Sequence, residues 1–126
     1  MSNILLAKDE TMAHENVRFL LGRTRDRIVP ISLEAITTIE AVGGFAVVHT
    51  VGGRFILRET LATLEKVLPG STFARMNHSL ILNISQIEEL QVLGAGGNHF
   101  QMKDGRTVAL TLQLSEMESL LRHATN

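Results

Sequence analysis

A chain of 126 residues with a formal net charge of -1, 44% hydrophobic and 20% charged, reads as one domain able to bury a core. That balance excludes a disordered chain. Cysteine is absent, which removes disulfide staples, thiolate nucleophiles and cysteine zinc sites and fits a reducing cytoplasm. No stretch approaches the roughly 20 apolar residues of a membrane span. Residues 1–16 carry Lys8, Asp9, Glu10 and Glu15 around an apolar run of only Ile4 to Ala7, so they are no signal peptide.

Residues 1–15 lack sustained periodicity and are expected to form an arm ahead of a domain spanning residues 16–123. From Val17 the pattern turns β: Val17 to Gly22 and Arg27 to Ile31 flank the polar turn Arg23-Thr24-Arg25-Asp26. Pro30 lacks an amide hydrogen and belongs at a strand end or on an edge. Ser32 to Ala35 predicts one helical turn with a Ser cap. Ile36 to Ala41 and Phe45 to Thr50 are the next strands, split by Gly43-Gly44. Gly52-Gly53 then makes a tight hairpin into Arg54 to Arg58, where Phe55 and Leu57 share the core face and Arg54, Ile56 and Arg58 the other.

The best-signalled helix follows, with Thr60 as N-cap, Leu61, Leu64, Val67 and Leu68 as its apolar stripe and Pro69-Gly70 as its stop. Phe73 to Asn77, Leu80 to Ile84 and Ile87 to Leu93 return to β. Gly94, Gly96 and Gly97 mark a loop, and Asn98 to Lys103 pairs with Arg106 to Leu110 across Asp104-Gly105. A C-terminal helix is expected from Ser115, with Glu118 completing a capping box. The fold class expected is mostly β and antiparallel, with two short helices.

The residue types narrow the chemistry. His14, His49, His78, His99 and His123 show no zinc-ligand spacing. His78-Ser79 cannot act as base and nucleophile, because neighbours on extended chain point to opposite faces. The run Gly94 to Gly97 leads into a hairpin and not into a helix N-terminus, so it is no phosphate cradle. No catalytic constellation, metal site or cofactor site is expected. Net charge argues against nucleic acid, but its distribution is uneven: six of the nine arginines lie between Arg18 and Arg58, against Asp26, Glu34 and Glu40. Arg23, Arg25 and Arg27 alternate through a turn in a way that suits phosphates. Asn77-His78-Ser79 is a polar cluster whose side chains can bond phosphates or base edges.

Read as one string, residues 28–120 resemble the LytTR DNA-binding domain family, found in bacterial regulators of the AlgR/AgrA/LytR type. Ile31 to Ile36 (ISLEAI) resembles the family's IPLEDI, and Ile39 to Phe45 (IEAVGGF) its IEAxGNY. Val48-His49-Thr50 resembles IHT, and Leu57 to Glu65 (LRETLATLE) resembles LRxTLxxLE. Phe73 to Asn83 (FARMNHSLILN) stands where the family has FxRVHRSYIVN. The resemblance implies an elongated stack of small antiparallel sheets whose loops enter the major groove of duplex DNA, on paired half-sites and as two domains, a homodimer. It places DNA contacts at Ala46 in the Gly43-Gly44-Phe45-Ala46 loop, at Asn77, His78 and Ser79 in the HRS turn, and at Gln113 in the segment Leu110 to Gln113. Arg23, Arg25 and Lys103 are further candidate phosphate contacts. The family's usual arginines are missing at His78 and in Leu110 to Gln113. A degenerate protein-interaction module that has lost most DNA reading is therefore the competing expectation. The residues ahead of the first strand are too few for an input module, so the chain is expected to be either a stand-alone domain or a piece of a longer protein.

Overall fold

Alternating apolar residues set up the first hairpin, β1 (Phe19–Arg23) against β2 (Ile28–Ser32), paired antiparallel from Phe19↔Ser32 to Arg23↔Ile28. The computed structural model describes residues 18–92, 98–109 and 112–124. The expected arm 1–15, the glycine loop at Gly94–Gly97, and Leu110 with Thr111 lie outside the described residues. The β1–β2 turn is closed by Thr24, whose amide donates to the Arg27 carbonyl at 2.9 Å and whose hydroxyl accepts from the Arg27 amide at 3.1 Å. Pro30 sits inside β2, where its missing donor is harmless because β2 is the outer edge of its sheet.

A 3-10 turn at Leu33–Ala35 follows, but the Ser32 side chain makes no cap hydrogen bond. The turn is held instead by burial of Leu33 and by the Ile36 amide donating to the Leu33 carbonyl. The chain then runs as a meander through β3 (Ile36–Val42), β4 (Phe45–Thr50) and β5 (Gly53–Leu57). Helix α1 (Leu61–Val67) is capped by Thr60, whose side chain accepts from the Thr63 amide at 3.1 Å. Next come β6 (Phe73–Asn77), β7 (Leu80–Asn83), a second 3-10 turn (Ile84–Gln86) and β8 (Ile87–Gln91). The hairpin β9 (His99–Met102) and β10 (Thr107–Ala109) and helix α2 (Leu114–Ala124) complete the described chain.

Among the described residues ten strands form a seven-stranded sheet in the order β2-β1-β5-β4-β3-β7-β6 and a three-stranded sheet in the order β10-β9-β8. Every pairing is antiparallel, and the β1–β2 hairpin joins the larger sheet through the single pair Arg23↔Ile56. Gly22 lets that hairpin close up, because a Cβ there would lie 2.6 Å from the Ile31 side chain and 2.9 Å from that of Phe55.

Two cores result. The first buries Leu20, Ile36, Ile39, Val48, Leu57 and Ile81 of the large sheet against Leu61, Leu64 and Leu68 in and around α1. The second buries Leu82, Ile87, Phe100, Met102 and Val108 against Met117 of α2. Strand β7 feeds both, since successive side chains point to opposite faces: Ile81 enters the first core and Leu82 the second.

A buried amide ties the layers together. Asn83 is fully buried, and its Nδ2 donates to the Ile36 carbonyl at 2.7 Å while its Oδ1 caps the second 3-10 turn by accepting from the Ser85 amide at 3.0 Å. The β9–β10 turn docks onto the start of β3. Thr37 Oγ1 donates to Asp104 Oδ2 at 2.9 Å, and an Arg106 guanidinium nitrogen donates to Thr38 Oγ1 at 2.9 Å. The expected capping box at Ser115–Glu118 is corrected. Helix α2 starts at Leu114, and Glu116 reaches back so that its Oε1 accepts from the Gln113 amide at 3.0 Å. Gln113 is thus the N-cap position, two residues earlier than the Ser-based pattern suggests, because Glu116 satisfies the helix's first free amide.

Candidate nucleic-acid interface

The turn between β6 and β7 is built by its own side chains. Asn77 Oδ1 accepts from the Ser79 amide at 2.8 Å, closing an Asx turn. Arg75 braces it from below: Nε donates to the Asn77 carbonyl at 2.8 Å, and the guanidinium reaches the His78 carbonyl at 3.4 Å and Glu65 Oε1 of α1 at 2.9 Å. The Ser79 carbonyl accepts from the Ala41 amide at 2.9 Å, fixing the turn to β3. What remains outward is the exposed His78 side chain at the tip, with Asn77 and Ser79 exposed on either side. Among the described residues the His78 ring has no hydrogen-bond partner.

The β3–β4 turn stands beside it. Gly43 and Gly44 have φ of 54° and 86°, the left-handed values that a two-residue hairpin turn of this hand requires. Val42 and Phe45 flank the glycines at 54% and 43% exposure. Ala46, expected as a contact, has no exposed side chain: it is fully buried in the first core, paired across to Ala41 and Leu57. The alternation of β4 puts Phe45 outward and Ala46 inward, so the accessible side chain of this loop is Phe45. A cleft of about 220 Å³ joins Gly44 and Phe45 to Glu59 and Thr60 at the start of α1 and to Arg75 and His78.

Strand register sorts the remaining candidates. Val42, Phe45 and Ser79 lie at one end of the large sheet, with Arg58 next beyond the Ala46–Leu57 pair. Arg23 sits two residues inside the Val42–Phe45 end, in the row Arg23–Ile56–Val47–Glu40–Leu80. Beyond Arg23 the β1–β2 turn runs the other way, toward the β4–β5 turn at Thr50 and Gly53, and takes Arg25 with it. Lys103 belongs to that far end too: its amide donates to the Gln86 carbonyl at 2.8 Å, in the turn that docks on Thr37. Gln113 lies just ahead of α2, where its carbonyl accepts from the Glu116 and Met117 amides. Its residue is exposed.

The structure therefore brings Asn77, His78 and Ser79 together and leaves Arg25 and Lys103 elsewhere. It adds Arg58 and Arg75, which the sequence reading did not single out. The signal for Arg58 was present in the outward alternation of Arg54, Ile56 and Arg58. Arg75 carried no signal of its own, since its work is to hold two carbonyls and a carboxylate. Among the described residues, no three His, Asp or Glu side chains are grouped to hold a metal ion, and no helix is long and apolar enough to cross a membrane.

The model of the LytTr DNA-binding domain family matches residues 26–122. The chain belongs to the LytTr DNA-binding domain family. Curated relatives agree: sensory transduction protein LytT of Bacillus anthracis is 34% identical over 98 residues, covering 77% of this chain and 40% of that protein. LytT of Bacillus subtilis is 26% identical over 117 residues, covering 92% of this chain and 48% of the relative. The chain thus spans less than half the length of the curated relatives it matches. Among solved structures, the LytTr DNA-binding domain of a response regulator from Bacillus cereus superposes with a TM-score of 0.71 at 21% identity, over 82% of this chain and 96% of that one. That likeness shows the fold: a mostly β LytTr domain with antiparallel sheets and two short helices.

Proposed function

We propose that this LytTr domain binds duplex DNA as part of a bacterial transcription regulator, seating the β3–β4 and β6–β7 turns in the major groove. The observation that carries the reading is the convergence of these two turns on one end of the sheet, with His78 projecting from a turn that Asn77 and Arg75 hold rigid. A fixed tip loses little conformational freedom on binding. His78, Asn77 Nδ2 and Ser79 Oγ contact base edges or phosphates, Arg58 contacts a phosphate beside them, and Gln113 contributes from the start of α2. Arg23 lies close enough to that end to reach a flanking phosphate. Arg25 and Lys103, at the other end, contribute less. Paired half-sites read by two domains complete the proposal, and the role is one of binding, with no reaction and no cofactor assigned.

Fluorescence anisotropy on promoter fragments from the source genome tests it. Specific binding is expected, weakening with salt at a log–log slope of roughly -0.9 per phosphate neutralised. Absence of binding to every fragment at low salt would overturn the proposal. A second reading, a protein-interaction module on the same fold, is favoured by one observation. The side chains flanking the β3–β4 turn, Val42 and Phe45, are apolar and exposed where a groove-reading loop would carry polar groups. Light scattering with pull-down from native extract distinguishes the two, recovering a protein and no promoter DNA in that case.

A further inference from the structure

The seven-stranded sheet is covered unequally. Helix α1 closes one face, but on the other face the small sheet and α2 lie over β7, β6 and β3 as far as Glu40. Strands β4, β5, β1 and β2 carry no second layer there among the described residues. Register places Ile28, Arg23, Ile56 and Val47 in one row across these four strands. Ile28 is 53% exposed and Ile56 51%. Arg54 stands on the same face two residues before Ile56 and has no ion-pair partner among the described residues. Two half-bare isoleucines beside Arg54 form a surface that gains from an occupant both apolar and acidic.

We propose that residues 1–17 of this same chain dock on this face, with Ile4, Leu5 and Leu6 against Ile28 and Ile56 and carboxylates of Asp9, Glu10 and Glu15 toward Arg54. Three observations select that occupant. Its composition is complementary, with three carboxylates against the single Lys8, next to the one apolar run of the segment. Its attachment point is right: residue 17 adjoins Arg18, whose carbonyl accepts from the Leu33 amide at 3.1 Å where β1 meets β2. Its reach suffices, because crossing four strands and running five residues back along β1 takes about 22 Å. Seventeen residues span about 25 Å as a helix and up to roughly 55 Å extended. A second copy meeting the face with its own equivalent would set Arg54 against itself, and a DNA phosphate chain would gain nothing from the isoleucines.

The chain has no cysteine, so a nitroxide attached at Asn3→Cys in the full chain reports position 3 alone. With the protein 15N-labelled, the proposal expects loss of the amide signals of Arg23, Ile28, Val47 and Ile56, while those of the β9–β10 turn persist. Arg54→Glu, an exposed change that leaves the cores intact, should restore part of the lost signal, and adding Asp9→Arg should remove it again. Unchanged signals on this face would overturn the proposal. So would signal loss only when label and 15N reside on different chains, which marks a second copy, or a face perturbed by added duplex DNA but not by the label.

Discussion

The two cores of this domain are built on different terms. The first spans the chain from Leu20 to Ile81: the β3–β4–β5 meander with α1 folded back over it, a Thr60 cap and a Pro69 stop, completed by side chains of β1, β2 and β7. The second is assembled from a later, contiguous stretch running from Leu82 to Met117. It needs the outer face of β7, the three-stranded sheet and the last helix, and it is joined to the first by Asn83 and by the contacts of Thr37 and Thr38 with the β9–β10 turn. Local pairings cost little loop-closure entropy, whereas distant ones must be held by specific long-range bonds. The layer that can present Gln113 is thus held to the first core by the shared strand β7 and by these polar ties.

The sharpest way to break that comparison is at β7. Ile81→Ala and Leu82→Ala each remove a buried side chain from a different core, and each is expected to cost about 2–5 kcal/mol. Urea unfolding followed by circular dichroism should give one cooperative transition for both variants. Two separated transitions for Leu82→Ala would show that the small layer melts alone and that the ties are weak. Asn83→Ala strands the Ile36 carbonyl and uncaps the second 3-10 turn, for an expected loss of about 1–3 kcal/mol in the same assay; a loss near zero would mean that water replaces the amide.

For the turns the comparison is between ends of the sheet. His78→Ala should weaken discrimination of the best promoter site by about 1–3 kcal/mol with an unchanged melting temperature, since His78 is an exposed tip. Lys103→Ala, at the other end, should change affinity far less. Equal effects in anisotropy titrations would move the DNA footprint off the Asn77–Ser79 end. The smallest effect is expected at Glu116→Ala, which removes the acceptor for the Gln113 amide and should lower stability by about 0.5 kcal/mol. If DNA affinity falls with it, Gln113 must be held by that cap to act.

Much of the fold was legible. Glycine pairs marked the β3–β4 and β4–β5 turns, Asp104-Gly105 marked the last hairpin, and Pro30 marked an edge strand, because each of these residues answers a local backbone demand. The α2 cap was misplaced by two residues, since a Ser-x-x-Glu pattern does not reveal which glutamate bonds which amide. The candidate interface was legible in part. Asn77-His78-Ser79 stood out as a polar turn, but Ala46 did not show itself as core, and nothing local told Arg75 the brace from Arg25 on a distant turn.

Local chemistry, then, was settled by sequence: the type and order of strands and helices, the glycine-marked turns, the apolar stripes of two cores, and the ordered motifs that mark a LytTr domain. Tertiary structure alone decided which of these features meet. The end on which a turn lies depends on strand order and register, and those come from pairing residues far apart in the chain, where no local preference acts. That is why His78, Phe45 and Arg58 come to share one end of the sheet while Arg25 and Lys103 go to the other.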